Sequence, residues 1–272
     1  MTKDKIKISR PQSFGRLRGK ANLGSVTYRG FAVLYMFSYY GSKSKIVNCY
    51  PPPKHNKIIE PFAGSARYAL KYWDKDVLLV DKYEIIVKVW QWLQKCSRND
   101  IVSLPRLTNG MDITTLGLSE DELNFVGFMA GVAQGKPRMK VSPFAAIHFE
   151  ESRKSKYETI ADQLYKIKHW KIIVGCYKDI PNEEATWFID PPYQFGGQHQ
   201  YQFGNKHLDF IDLAEYCKNR NGQVLVCENT KADWLPFMPM KLIQGAANSF
   251  TTEALWSNHP TAFDNIQTAL FK

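Results

Sequence analysis

Short, nearly unbroken apolar runs recur along the chain, each closed by polar or turn-forming residues. Lys57-Ile58-Ile59-Glu60 is a β-branched run, and Gly64 and Ser65 turn it into a helical stretch from about Ala66 to Trp73. Asp76-Val77-Leu78-Leu79-Val80-Asp81 is apolar throughout between its acids, the pattern of a strand buried on both faces. Ile85 to Gln94 then has helical spacing. This β-α-β-α opening predicts a parallel, doubly wound sheet. The rhythm returns at Lys171–Val174 and Ala185–Asp190, with a helix over Leu208–Asn219 and a strand over Gln223–Cys227. An antiparallel ending is expected around Lys241–Ile243 and Ile266–Phe271.

Two stretches break the rhythm. Before the first strand, Ser44 to Tyr50 reads as a short helix stopped by Pro51-Pro52-Pro53, because proline cannot continue it. From about Cys96 to Trp170 the periodicity is irregular. One helix is well marked there: Ser119 and Glu122 form a capping box, and Leu123, Val126, Ala130 and Ala133 follow at helical spacing. The layout predicts an α/β core made of residues 36–96 and 171–272. Residues 97–170 form an insert in it, and an aperiodic extension covers residues 1–35.

Composition changes this picture little. At 272 residues, 44% hydrophobic and 23% charged, the chain is ordinary for a globular protein. No apolar run approaches the roughly 18–20 residues needed to span a bilayer. Phe31–Phe37 is too short for that and lacks a following cleavage site, so no signal peptide is expected. The five cysteines (49, 96, 176, 217 and 227) contain no Cys-x-x-Cys pair, which predicts reduced structural thiols, a cytoplasmic protein and no metal site.

Charge is more informative by place than by total. Of a net +10, residues 1–35 hold eight basic residues and one acid, Asp4. That extension reads either as an arm lying along polyanionic phosphates or as a leader that keeps the chain in solution. A second basic cluster, Lys136, Arg138 and Lys140, occupies a turn in the insert. It reads either as a phosphate or guanine contact or as a solvated loop.

Two motifs carry chemistry. Glu60-Pro61-Phe62-Ala63-Gly64-Ser65-Ala66 sits at a strand-to-helix turn, yet it is neither Gly-x-Gly-x-x-Gly nor a phosphate loop. A lone glycine there suits a ligand that needs close backbone approach but carries no pyrophosphate. Asp81 ends the next strand, where a carboxylate can receive both hydroxyls of an adenosyl ribose. The second motif, Asp190-Pro191-Pro192-Tyr193, follows an apolar strand directly. An aromatic amine is a poor nucleophile because its lone pair is delocalised into the ring. A carboxylate and a backbone carbonyl accepting from its NH2 can return that pair to nitrogen. The prolines stiffen the turn and leave no competing N–H, so the Pro191 carbonyl can face the substrate, and Tyr193 can stack on a flat base. Direct displacement on a sulfonium needs little beyond such positioning, and no metal.

The order Tyr39-Tyr40-Gly41-Ser42-Lys43, Glu60–Ala66, Asp81 and Asp190–Tyr193 resembles the Dam-type, alpha-class adenine-N6 DNA methyltransferases. In that family a W/Y-x-G-G/S-K element precedes an E-P-F-x-G-x-G/A loop, a target-recognition insert follows, and D-P-P-Y comes late. The likeness covers roughly residues 37–94 and 171–230. It implies a Rossmann-like S-adenosylmethionine-dependent fold with a mixed, mostly parallel seven-stranded sheet. It also implies methyl transfer to a flipped-out adenine of double-stranded DNA, with a partner restriction endonuclease as a further expectation. Residue by residue, it gives cofactor contacts to Tyr39, Lys43, Glu60, Pro61, Phe62, Gly64, Ser65 and Asp81. Asp190 is shared by cofactor and target amine, and Asp179 reaches the cofactor adenine. Residues 97–170 become the target-recognition domain. Ala66 departs from the frequent third-position glycine. The aromatic, Gly/Gln-rich loop Gln194–Gly204 reads either as a surface loop or, following the tetrad, as a segment that closes over the extruded base or fills the gap it leaves. Alternatives are transfer to cytosine N4, an RNA methyltransferase, or a catalytically silent DNA-binding relative.

Overall fold

Fully apolar runs form the centre of the sheet because both of its faces are covered. The strands are β1 (Lys57–Glu60), β2 (Asp76–Asp81), β3 (Lys171–Val174), β4 (Ala185–Ile189), β5 (Gly222–Asn229), β6 (Met238–Gln244) and β7 (Phe250–Ser257). They stand in the order β3-β2-β1-β4-β5-β7-β6. The first five run parallel, and β7 runs antiparallel between β5 and β6. This computed structural model describes residues 34–150, 155–196, 200–244 and 250–261. The expectations for residues 1–33, for Gly197–His199 in the loop and for a strand at Ile266–Phe271 lie outside those residues. The sheet is the seven-stranded, mixed, mostly parallel Rossmann-like arrangement expected for the methyltransferase fold class.

Alternation along each strand feeds two cores. Ile58, Leu79 and Phe188 face one side, with Tyr68, Trp90 and Phe37. Ile59, Val80, Trp187 and Ile189 face the other, with Tyr177 and Leu213. The first core holds stacked Tyr68 and Phe188 rings with centroids 4.3 Å apart, and Phe37 packs edge-on against Trp90 at 5.2 Å. The helices are α1 (Arg67–Lys71), α2 (Glu84–Lys95), α3 (Arg98–Val102), α4 (Glu120–Met129), α5 (Pro143–Glu150), α6 (Lys156–Ala161) and α7 (Phe210–Lys218). Residues 97–170 supply α3 to α6, whose apolar side chains join the first core, with Phe125 of α4 against Trp92 of α2 at 5.0 Å. The described residues after 33 form one compact unit.

The capping box at Ser119 is formed, but α4 stops at Met129, short of the periodic Ala133. The carbonyls of Gly127 and Ala130 accept from Arg138 and Ser142, tertiary partners that replace the next helical turn, and Ala133 has a φ of 51°. Ser44–Tyr50 forms only a 3-10 turn at Val47–Cys49, since Tyr50 must be extended ahead of Pro51. The antiparallel partner of β6 is β7, so the strand-like run near 241–243 pairs with Phe250–Ser257.

Topology decides where ligands go. From β1 the chain builds outward through β2 to β3, then returns to add β4 on the other flank of β1. In open α/β sheets ligands bind beyond the strand carboxyl ends where the order reverses, here between β1 and β4. Glu60 ends β1, and Asp190 directly follows β4.

Candidate active site

The turn after β1 is held from two sides. Asp81 Oδ2 accepts from the Gly64 amide at 3.0 Å, and its Oδ1 accepts from the Tyr83 amide at 2.8 Å. Trp90 Nε1 donates to the Gly64 carbonyl at 2.9 Å. Gly64 has a φ of +45°, and a Cβ there would lie 3.1 Å from the Tyr39 ring. Ala66 adopts a left-handed φ of 44°, which costs a residue with Cβ roughly 1–2 kcal/mol. Ala66 also gives α1 no side-chain cap; Glu60 takes over, its Oε1 accepting from the Ala69 amide at 2.6 Å. Burial pushes the Glu60 carboxyl up to about 8, although the Ala69 hydrogen bond opposes this. Burial likewise raises Asp81 to about 6, against the Gly64 and Tyr83 amides.

The segment before β1 closes the site from the side. Arg67 Nε donates to Ser42 Oγ at 2.9 Å, and its guanidinium also reaches the Leu34 carbonyl. Lys43, only 7% exposed, places Nζ 2.7 Å from Asp190 Oδ1, 3.7 Å from Glu253 Oε1 and 4.8 Å from the centre of the Tyr193 ring. Burial alone would lower this ammonium's pKa; Asp190 and Glu253 outweigh it and raise it. Asp190 rises to about 6: burial and Glu253 push it up, and Lys43 holds it down.

These elements enclose a cavity of about 280 Å3. Tyr39, Lys43, Glu60, Pro61, Phe62, Gly64, Ser65, Asp81, Asp190 and Pro192 all line it. Pro191 is buried beside it. Tyr193 packs away from the lining, and its hydroxyl donates to Glu253. Asp179 is also outside the lining; its Oδ2 accepts from the Cys176 amide at 3.2 Å, bracing the turn whose Cys176, Tyr177 and Lys178 do line the cavity.

Three features were not read from the sequence (Glu253, Tyr177 and Glu228), and the aromatic loop expected from it brings Tyr201 and Phe203 to the cavity. Glu253 is 4% exposed and accepts from Tyr50 Oη at 2.7 Å as well as from Tyr193. Its one sequence signal is a lone acid immediately before the run Ala254-Leu255-Trp256. Tyr201 and Phe203, from the loop after the tetrad, line the cavity; Tyr201 meets Tyr40 edge-on at 5.3 Å. The Tyr201 hydroxyl would lie 2.2 Å from a Cβ on Gly41. Tyr177 packs against Phe62 with ring centroids 5.5 Å apart. Glu228, at the end of β5, accepts from the Gln194 amide at 2.6 Å, and Asn229 donates to the Phe195 carbonyl, so β5 pins the start of that loop.

Lys136, Arg138 and Lys140 are exposed and lie outside the cavity lining. Their turn is firmly docked. Arg138 N donates to Gly127, Met139 and Val141 carbonyls accept from Ile113 and Gly110, and Asp112 bridges Lys140. The Gln134 carbonyl accepts from Tyr40 N at 3.1 Å, and Gly135 abuts the Gln200 backbone. The basic turn therefore borders both segments that close the cavity. Among the described residues no cluster of side chains could hold a metal ion, and no helix is long and apolar enough to cross a membrane.

The residues present fit an adenosyl cofactor. Asp81 faces the cavity with acceptor capacity beyond its two amide bonds. The bare Cα of Gly64 keeps open space that a side chain would fill, and the aromatic rings of Phe62 and Tyr177 offer flat apolar surface.

No family model matches the chain, and no curated protein matches it. Solved structures that resemble it include two with related descriptions. One is yhhF of Escherichia coli, provisionally described as a methyltransferase, with a TM-score of 0.33 and 8% identity over 80% of this chain and 82% of that one. The other is a provisionally described methylase of Haemophilus influenzae, with a TM-score of 0.31 and 12% identity over 75% of this chain and 80% of that one.

Proposed function

We propose that the chain transfers a methyl group from S-adenosylmethionine to the exocyclic N6 amine of adenine in double-stranded DNA. The supporting observation is the meeting of the two motifs: Asp190 and the Gly64 turn, 126 positions apart in sequence, line one cavity at the switch point of the sheet. Asp81, Gly64, Phe62 and Tyr177 would hold the cofactor, which supplies an electrophilic methyl whose C–S bond breaks with its electron pair returning to sulfur.

The chain's own residues prepare the nucleophile. Asp190 accepts an N–H of the amine and draws the lone pair toward nitrogen once the Lys43 ammonium, now on Oδ1, relaxes its hold on that carboxylate. When nitrogen takes the methyl it becomes cationic, and Asp190 is placed to accept the proton it sheds. With its pKa raised to about 6, Asp190 is a better acceptor than an ordinary aspartate and still mostly ionised at neutral pH. Reaching a base inside a duplex requires extruding it, at a cost of a few kcal/mol. Tyr201 and Phe203 line the cavity where such a base would enter, and the exposed Lys136, Arg138 and Lys140 would contact phosphates beside it.

The test is incubation with radiolabelled S-adenosylmethionine and mixed-sequence duplex DNA, followed by mapping of the modified bases. Label on adenine N6 supports the reading. Label on cytosine N4, or on RNA alone, overturns the choice of base or nucleic acid, and binding without transfer marks a silent relative.

A further inference from the structure

The amine-holding carboxylate is not free in this structure, because Lys43 already holds it. An amine that takes Asp190 draws on the same negative charge as that ammonium, and an ammonium left unpaired in a buried site is strongly disfavoured. A second anion is at hand. Glu253 Oε1 is 3.7 Å from the same Nζ that lies 2.7 Å from Asp190 Oδ1, so about one ångström of lysine movement changes its partner. We propose that Glu253 is a positioning residue: it takes up Lys43 when a substrate amine claims Asp190, and so lets that carboxylate work.

The fold delivers Glu253 to this place. β7 is antiparallel, so its first residues lie at the sheet edge where the parallel strands end, and Glu253 pairs with Asn229 at the end of β5. Two phenols fix it. Tyr50 Oη donates at 2.7 Å and Tyr193 Oη donates as well, and an ionised carboxylate can only accept. Tyr193 thereby links the tetrad to β7: it follows the two prolines after Asp190 and ends on Glu253.

Other groups facing Asp190 do not duplicate this part. Glu60 of β1 is engaged with Ala69, and Glu228 of β5 with Gln194. Cys227 and the tyrosines at 39, 50, 193 and 201 are held protonated by burial. Among the described residues Lys43 makes its ion pairs with Asp190 and Glu253 alone.

This inference rests on transfer to an amine, but part of its test does not. The full chain, with aspartate carboxyl groups labelled with 13C, is titrated by NMR, and the Asp190 signal is assigned by its loss in Asp190→Asn. In wild type the Asp190 titration is expected near 6. Glu253→Gln keeps an acceptor for both phenols but commits Lys43 to Asp190, so the Asp190 titration moves down. Tyr50→Phe takes one donor from Glu253, which then draws Lys43 more strongly, so the titration moves up. Loss of the Glu253 charge alone also moves Asp190 down, so the upward shift in Tyr50→Phe, which leaves every carboxylate in place, is the one that a merely structural role does not give. In the transfer assay Glu253→Gln lowers kcat about tenfold and leaves the KM for S-adenosylmethionine unchanged. An Asp190 titration unmoved by Glu253→Gln, or moved the same way by both variants, overturns the proposal. If Glu253→Gln does not fold, Tyr50→Phe decides alone: an upward shift supports the exchange, and none or a downward one overturns it. Opposite shifts in a protein that methylates nothing overturn the proposed function and leave the positioning role standing.

Discussion

Glu60 offers a stability test of how the site is charged. It is 2% exposed, ends β1 and caps α1 through the Ala69 amide. Its carboxyl is raised from 4.5 to about 8, chiefly by burial. A group whose folded pKa lies above its unfolded value contributes stability that is complete below the unfolded pKa. That contribution is lost as pH rises through the folded pKa. For Glu60 the loss runs from about pH 4.5 to about pH 8. The full interval corresponds to a ceiling of about 5 kcal/mol. Relaxation around an ionised group, as reflected in effective dielectric constants well above those of dry protein, brings the expected figure to about half. Glu60→Gln keeps the acceptor for Ala69 and removes the titration. Urea unfolding at pH 5 and pH 9 should show the variant gaining about 2–3 kcal/mol on wild type between the two. A difference that does not grow with pH, or that grows in favour of wild type, would refute the reasoning, because Glu60 would then be ionised in the fold.

Three further outcomes are expected. Gly64→Ala forces a Cβ into left-handed backbone and against Tyr39, costing roughly 1–2 kcal/mol in chemical denaturation; it should also weaken S-adenosylmethionine binding by calorimetry, and an unchanged affinity would remove Gly64 from the cofactor site. At pH 7, S-adenosylmethionine binding should release up to about one proton, mainly from Glu60, because a sulfonium cation favours the anion; calorimetry in buffers of different ionisation enthalpy reads this, and equal release with S-adenosylhomocysteine would contradict it. Replacing Lys136, Arg138 and Lys140 together by alanine should reduce the salt slope of DNA binding by about 2–3, whereas an unchanged slope would make the turn a solvated surface.

The legible parts of the fold were those whose cause is local. The strands β1 and β2 follow their apolar runs because they are buried on both faces between polar ends, and β3 follows its own run as an edge strand in which Ile172 is buried. The capping box of α4 was visible for the same reason: its partners are three residues apart. What was hidden depends on distant partners. β7 carries Thr251, Thr252 and Glu253, which break an apolar pattern, and only the pairing with Tyr50, Tyr193 and Lys43 makes that glutamate tolerable in a buried strand. The same holds at the site. The two motifs announced its chemistry, but the assignment of Tyr193 to a hydroxyl contact with β7, the cap that Glu60 gives to α1, and the bracing part of Asp179 are set by neighbours that no spacing rule reveals.

The central claim is that Asp190 holds an amine while it is methylated. Its most direct measurement compares wild type with Asp190→Ala in transfer of labelled methyl from S-adenosylmethionine to duplex DNA, with DNA binding followed in parallel. The account predicts adenine N6 label with wild type, and with the variant a loss of transfer of at least about a thousandfold while DNA affinity stays within a few fold. Transfer by Asp190→Ala at the wild-type rate would contradict it.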